Sequence, residues 1–360
     1  MRTVKHGGNI YEIANQLGIE KEELIDFSAN INPLGVPDSF KKALIKHIDL
    51  IKNYPDPEYK ALTKAIADHH GIEEAYITVG NGATEVIFSI VSALRPKHSL
   101  ILAPTFLEYE RALRKVGSNV NYCLLKEENN FQIDDQFLDS IEKDIDLIIL
   151  CNPNNPTSQL IDRKRMYKIL QYCEEKNIHL LIDEAFMDFV EDFDQATMLP
   201  YVAHYKHLYI IKALTKFFAL PGLRIGYGLT SNIALLEKVK NLKEPWTVNS
   251  YAALAGEIVL QDDVYIHQSR IWIESERGRF YDALKEIDKI KVYPPKANYI
   301  LFQLLTPSIH IKDSLLQKKF LIRSCDNYPN LNNHFYRIAI KSKEANEKFI
   351  KALNEVFYED

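Results

Sequence analysis

Residues 147–186 read LIILCNPNNPTSQLIDRKRMYKILQYCEEKNIHLLIDEAF. Leu147 to Leu150 is an unbroken apolar run, and it closes on Cys151-Asn152-Pro153-Asn154-Asn155-Pro156-Thr157, a stiff polar turn. From Arg163 to Lys176 the apolar residues recur at three- and four-residue spacing, the period of a helix with one buried face. His179 to Ile182 is a second apolar run and delivers Asp183 at its end. Strand, helix and strand in this order make the repeating unit of an α/β fold. Runs that are apolar throughout, rather than alternating, suit strands covered on both faces, as in a mainly parallel sheet.

The alternation continues outward. Further strands are expected at Ala75 to Val79, Leu100 to Ala103, Val120 to Leu124, Leu208 to Ile211 and Arg224 to Leu229, which makes seven in all. Helices are expected at Glu85 to Leu94, Glu108 to Val116 and Gln136 to Glu142. After Pro245 the texture changes: a long helical stretch from about Asn249 to Glu286 leads to strands near Tyr299 to Gln303, Phe320 to Arg323 and Tyr336 to Ile340, then a helix from Glu344 to Val356. The expected organisation is an N-terminal arm over residues 1–50, extended because it holds few periodic apolar positions, a large α/β domain over 51–245, and a smaller α+β domain over 246–360.

Composition narrows the function classes. Of 360 residues, 46% are hydrophobic and 26% charged, the balance of a globular chain large enough for two domains. Lys and Arg number 44 against 49 Asp and Glu, so the basic excess of a nucleic-acid binder is absent and no nucleic-acid partner is expected. No apolar run approaches a membrane span and the start carries no signal-peptide core, so a cytoplasmic protein without membrane contact is expected. Four scattered cysteines without a CxxC pair read as reduced thiols, and no metal site is expected, since His204 and His207 match no ligand spacing.

In an open α/β sheet ligands bind beyond the carboxyl ends of the strands. There Gly80-Asn81-Gly82-Ala83-Thr84 leads into a helix; by itself it reads equally as a phosphate cup or as a glycine-rich turn capped by Thr84. Asp183 could hold a cation: a metal, a basic side chain or a protonated ring nitrogen. Lys216, in Leu214-Thr215-Lys216-Phe217-Phe218, stands among apolar residues that would depress its pKa and favour the neutral amine needed for Schiff-base chemistry. Arg224, two residues past Gly222, offers a planar fork suited to a phosphate.

Taken in order, Asn155-Pro156-Thr157, Asp183-Glu184-Ala185-Phe186, Thr215-Lys216 and Gly222-Leu223-Arg224-Ile225-Gly226 resemble the aspartate aminotransferase superfamily of fold type I pyridoxal-phosphate enzymes. The resemblance spans nearly the whole chain. It implies pyridoxal 5'-phosphate as cofactor, with Lys216 as the lysine that condenses with its aldehyde and Asp183 as the partner of its ring nitrogen. It further implies Asn155 at the phenolic oxygen, Phe106 on the ring face, and Gly82, Ala83, Thr84, Thr215 and Arg224 around the phosphate. Tyr54 would join that phosphate from the second subunit of a homodimer, and Arg337 would receive the substrate carboxylate. Three residues depart from the pattern: Ser158 for the usual Gly, Ala213 for a common Ser, and Phe186 for a frequent Tyr.

Within the superfamily, His6-Gly7-Gly8-Asn9, Asp26 to Gly35, Ala213 to Phe217, Pro245 to Asn249 and Leu321 to Cys325 resemble the L-threonine-O-3-phosphate decarboxylases of cobalamin biosynthesis. Histidinol-phosphate aminotransferases are the nearest alternative. Both imply a small phosphorylated amino-acid-type substrate, for which His6, Gly8, Asn9, Asn32 and Arg323 are the available donors, beside Asn155 and Arg337.

Overall fold

The computed structural model describes residues 7–305 and 310–358. All seven expected runs become strands of one sheet: β1 (Ile77–Gly80), β2 (His98–Ala103), β3 (Asn119–Leu124), β4 (Leu147–Cys151), β5 (His179–Asp183), β6 (Leu208–Ala213) and β7 (Gly226–Leu229). Their spatial order is β1-β7-β6-β5-β4-β2-β3. Pairing is parallel from β6 through β3, while β7 runs antiparallel to both its neighbours. Every residue of β4 and β6 is buried, as a sheet covered on both faces requires.

The helix Arg163–Lys176 begins where Asp162 accepts a hydrogen bond from the Arg165 N–H and ends at Asn177 in the left-handed conformation. The helices Ala83–Leu94 and Glu108–Lys115 also lie where the sequence places them.

Three expectations fail. Gln136 to Glu142 forms successive turns, not a helix: Phe137 and Ile141 are buried, but Asp134 accepts from the Gln136 N–H and Ser140 turns back on the Phe137 carbonyl, so local polar bonds replace the helical ladder. The long stretch after Asn249 is two helices, Ser250–Val259 and Asp263–Lys285; Asp262 caps the second by accepting from the Tyr265 N–H, which breaks the run. Phe320 to Arg323 is not one strand. Phe320–Leu321 pairs with Ile25–Asp26, whereas Arg323–Ser324 joins a four-stranded sheet in the order 323–324, Phe335–Ala339, Tyr299–Leu304, Ile290–Val292.

The first fifty residues are only partly extended. They hold the helices Ile10–Leu17 and Asp38–Lys46. Between them residues 25–35 cross the molecule: the Phe27 N–H donates to Leu321, Phe27 accepts from Ala339, and the Asn32 N–H reaches the Lys216 carbonyl at 3.1 Å. The arm is thereby a strap from the small sheet to the segment that carries the lysine.

Candidate active site

Because β1 and β4 to β6 point the same way, their carboxyl ends gather Gly82, Asn155, Asp183 and Lys216 along one edge. Gly82 has φ +82 and is the N-cap of the helix Ala83–Leu94, which has no side-chain cap, so its first N–H groups face outward. A Cβ on Gly82 would lie 2.4 Å from the Arg224 guanidinium, and one on Gly226 would lie 2.4 Å from the Ala83 nitrogen. Glycine is required at both places so that Arg224 can close over the helix start. Thr215 is buried in the short helix Leu214–Phe217, just ahead of Lys216. Helix dipole, N–H groups, hydroxyl and guanidinium together make a cup that fits a phosphate.

Asp183 is 4% exposed and accepts from the Tyr109 hydroxyl at 2.6 Å and from the Ala185 N–H at 2.9 Å. Burial pushes its carboxyl above the ordinary range, against those two bonds, and it forms no ion pair among the described residues. A buried carboxylate lacking a cation is costly by itself. A protonated ring nitrogen would complete it. Burial also lowers the Lys216 amine to about 8, helped by Arg337 and Arg224. A larger share of the amine is therefore neutral near physiological pH than in an ordinary lysine, while its side chain stays partly exposed.

Arg337 is buried on the strand Phe335–Ala339; it donates to Asn155 Oδ1 at 2.6 Å and to the Ser28 carbonyl at 2.7 Å, and its Nε has no partner. Arg323 sits opposite it in the neighbouring strand, buried, donating to Asn327 Oδ1 at 2.7 Å and packed over the Tyr328 ring. Neither arginine forms an ion pair among the described residues.

Asn32 is buried, and its amide donates to the Phe217 carbonyl at 2.8 Å and to Ser269 at 2.7 Å while its oxygen accepts from Leu34. Its geometry ties the strap to the lysine segment. The Gly8 N–H donates to Ser28 Oγ, and the Asn9 side chain bonds Glu12. His6 lies outside the described residues. Phe106 meets Tyr109 edge-on at 5.5 Å. Tyr54 lies apart from this group, 80% exposed and against Trp246 at 4.8 Å.

The comparisons with known proteins agree with this geometry. The pattern of the family "Aminotransferase class I and II" matches residues 22–353. The chain belongs to the class I and II aminotransferase family. Among relatives of this family, a threonine-phosphate decarboxylase of Salmonella typhimurium is 42% identical over 98% of this chain and 96% of its own. A solved histidinol-phosphate aminotransferase from Clostridium acetobutylicum superposes with TM-score 0.87 at 38% identity, covering 92% of this chain and 99% of that one. The L-threonine-O-3-phosphate decarboxylase structure from Porphyromonas gingivalis gives TM-score 0.83 at 27% identity, covering 93% and 99%.

Several residues that touch the candidate site residues were not found from sequence. Tyr109, the donor to Asp183, sits one helical turn after Phe106, a spacing that could have flagged it. Lys341, half-buried with its amine donating to the Ala29 carbonyl at 3.3 Å, carries no local sequence signal, and Ser28, the acceptor for Gly8, lies within the Asp26 to Gly35 stretch without being singled out there.

Proposed function

We propose that this chain is a cytoplasmic, homodimeric, pyridoxal-phosphate-dependent decarboxylase that converts L-threonine O-3-phosphate to (R)-1-amino-2-propanol O-2-phosphate. The observation that carries the reading is the pair of register-matched, buried arginines 323 and 337, held without an acidic partner among the described residues, with Arg337 beside a lysine of lowered pKa. Two unpaired cations facing each other are repulsive until an anion lies between or upon them. A substrate carrying a carboxylate and a phosphate supplies two anionic groups. The 42% identity to the Salmonella threonine-phosphate decarboxylase supports the same substrate.

The cofactor, when bound, supplies a protonated ring that accepts the electrons of the bond broken at the substrate Cα. The protein's share is positioning. Arg337, with Asn155, receives the carboxylate; Arg323, with Gly8 and Asn9 of the arm, grips the phosphate. This fixes which Cα bond stands across the ring, and binding energy remote from the reacting carbon is used to select the bond that breaks. Once carbon dioxide has left, the Lys216 amine, carrying a proton it takes up near its lowered pKa of about 8, would return that proton to Cα.

Five exposed apolar side chains, Ile45, Ile48, Ile51, Tyr54 and Trp246, support the homodimer, with Tyr54 reaching the phosphate cup of the second subunit.

Histidinol-phosphate aminotransferase is the second reading, favoured by the similarity to the Clostridium structure. Incubation with L-threonine O-3-phosphate, and separately with histidinol phosphate plus 2-oxoglutarate, separates them. Release of carbon dioxide without a keto acid supports the decarboxylase; amino transfer to 2-oxoglutarate overturns it.

A further inference from the structure

Ser158 stands where the family commonly has glycine, and it holds the left-handed conformation that favours glycine, with φ +61. A serine kept there against backbone preference needs a use for its hydroxyl. The side chain is fully buried, and its Oγ accepts from the Ala297 N–H at 2.9 Å and the Lys296 N–H at 3.1 Å. The Lys296 N–H also reaches the Ser158 carbonyl at 3.0 Å, so it keeps an acceptor without the hydroxyl, whereas among the described residues Ser158 Oγ is the only acceptor for the buried Ala297 N–H.

These bonds join two separate parts of the fold. Ser158 ends the loop after β4 that carries Asn155, and its own N–H returns to the Asn154 carbonyl at 2.7 Å. Residues 296 and 297 lead into the strand Tyr299–Leu304, whose Leu301 is register partner of Arg337. Gln159 adds a bond to the Pro294 carbonyl at 2.9 Å, and the Tyr299 hydroxyl one to the Asn154 carbonyl at 2.9 Å. Across this seam Arg337 reaches Asn155 at 2.6 Å.

We propose that Ser158 is a positioning residue whose buried hydroxyl, holding the Lys296 and Ala297 N–H groups, sets the distance between the Asn155 loop and the Arg337 strand, against which Arg323 is paired, and so the grip of both arginines on their anions. The choice of substrate anion rests on the function proposed above; the seam itself does not.

The test uses the pyridoxal-phosphate-loaded protein, in which the cofactor's own phosphate cup is filled, and two variants that lose the same hydroxyl. Ser158→Gly suits the left-handed backbone and Ser158→Ala retains its strain, so any effect of strain separates them while the effect of the hydroxyl is shared. Three readouts are taken: amide hydrogen exchange of segment 293–300, the Kd of inorganic phosphate, and KM against kcat for L-threonine O-3-phosphate. Both variants are expected to speed exchange in 293–300 about tenfold, to weaken phosphate several-fold, and to raise KM more than they lower kcat. Unchanged exchange and phosphate Kd in both variants overturn the proposal. A Ser158→Gly protein that equals or betters the unsubstituted one, with only Ser158→Ala impaired, overturns it as well, because strain alone then accounts for the site. If the unsubstituted protein fails to turn over L-threonine O-3-phosphate, the function reading falls, while exchange and inorganic phosphate still decide the role of Ser158.

Discussion

Arg323 and Arg337 lie directly opposite each other on adjacent antiparallel strands, both buried and neither ion-paired among the described residues. Like charges opposed in this way weaken the pairing of their strands. The fold tolerates the pair because each guanidinium has hydrogen-bond acceptors and an aromatic face nearby: Asn327 and Tyr328 for Arg323, Asn155, Ser28 and Tyr299 for Arg337.

Replacing Arg323 with alanine removes both the repulsion and the substrate contact proposed above, so stability and activity should part company. The substrate-free protein is expected to change little in thermal or denaturant unfolding, because relief of the repulsion offsets loss of the Asn327 bond and the Tyr328 contact. By contrast, kcat/KM should fall about 30-fold or more, since truncating one partner of a buried charge contact costs roughly 2–5 kcal/mol. Abortive amino transfer should rise relative to carbon dioxide release. An unaltered product ratio together with unaltered kcat/KM would contradict the assignment.

Lys216 sets a pH dependence on cofactor capture. Its amine, lowered to about 8 by burial and by the Arg337 and Arg224 charges, must be neutral to attack an aldehyde. Lowering the pKa enlarges the neutral fraction, which grows as pH rises through that value. The rate of covalent capture of pyridoxal phosphate, trapped by borohydride and located by mass spectrometry, should climb from pH 6.5 and level off above about 8, not above the pKa of about 10.4 of an ordinary lysine.

Tyr109 holds Asp183 in its charged form, since a hydroxyl donated to a carboxylate favours ionisation against the burial that opposes it. In Tyr109→Phe the carboxyl pKa should move further up. A charge-assisted bond of this kind contributes about 1.5–3 kcal/mol. Cofactor affinity, followed by absorbance titration, should therefore drop about 10- to 100-fold, with the deficit growing toward lower pH as Asp183 takes up a proton.

Gly82 should tolerate no side chain. In Gly82→Ala the new Cβ would press on the Arg224 guanidinium, and the backbone would remain at a φ that alanine disfavours. The expected signature is selective: affinity for pyridoxal phosphate falls, affinity for pyridoxal without its phosphate changes little. Equal losses for both would show that the substitution disturbs more than the phosphate cup.

Asn32 is expected to matter first for stability. Its amide donates two bonds that join the strap to Phe217 and Ser269 and accepts one from Leu34 within the strap, all in buried or half-buried surroundings. Asn32→Ala leaves the Ser269 hydroxyl short of a donor, at a cost of about 1–3 kcal/mol, and leaves the Phe217 carbonyl only the longer bond from the Tyr265 hydroxyl at 3.3 Å. Denaturant unfolding should show this loss even without cofactor or substrate.

The sequence alone determined the seven strands and the residues at their carboxyl ends, because continuous apolar runs bounded by Gly, Pro and Asn are local signals that hold in any context able to bury them. Lys216, Asp183, Asn155 and Gly82 were legible for that reason, and the family resemblance assigned their chemistry. Tertiary structure alone decided which distant residues complete them. That Arg323 faces Arg337, that Asn32 locks the lysine segment, that Tyr109 reaches Asp183, and that the Ser158 hydroxyl satisfies nitrogens at 296 and 297 are contacts between positions 14 to 237 residues apart, using the spans Arg323 to Arg337, Asn32 to Ser269, Tyr109 to Asp183 and Ser158 to Ala297. Such contacts follow from strand register and from how the strap crosses the two sheets, and register depends on packing summed over whole elements. No short stretch of sequence contains it.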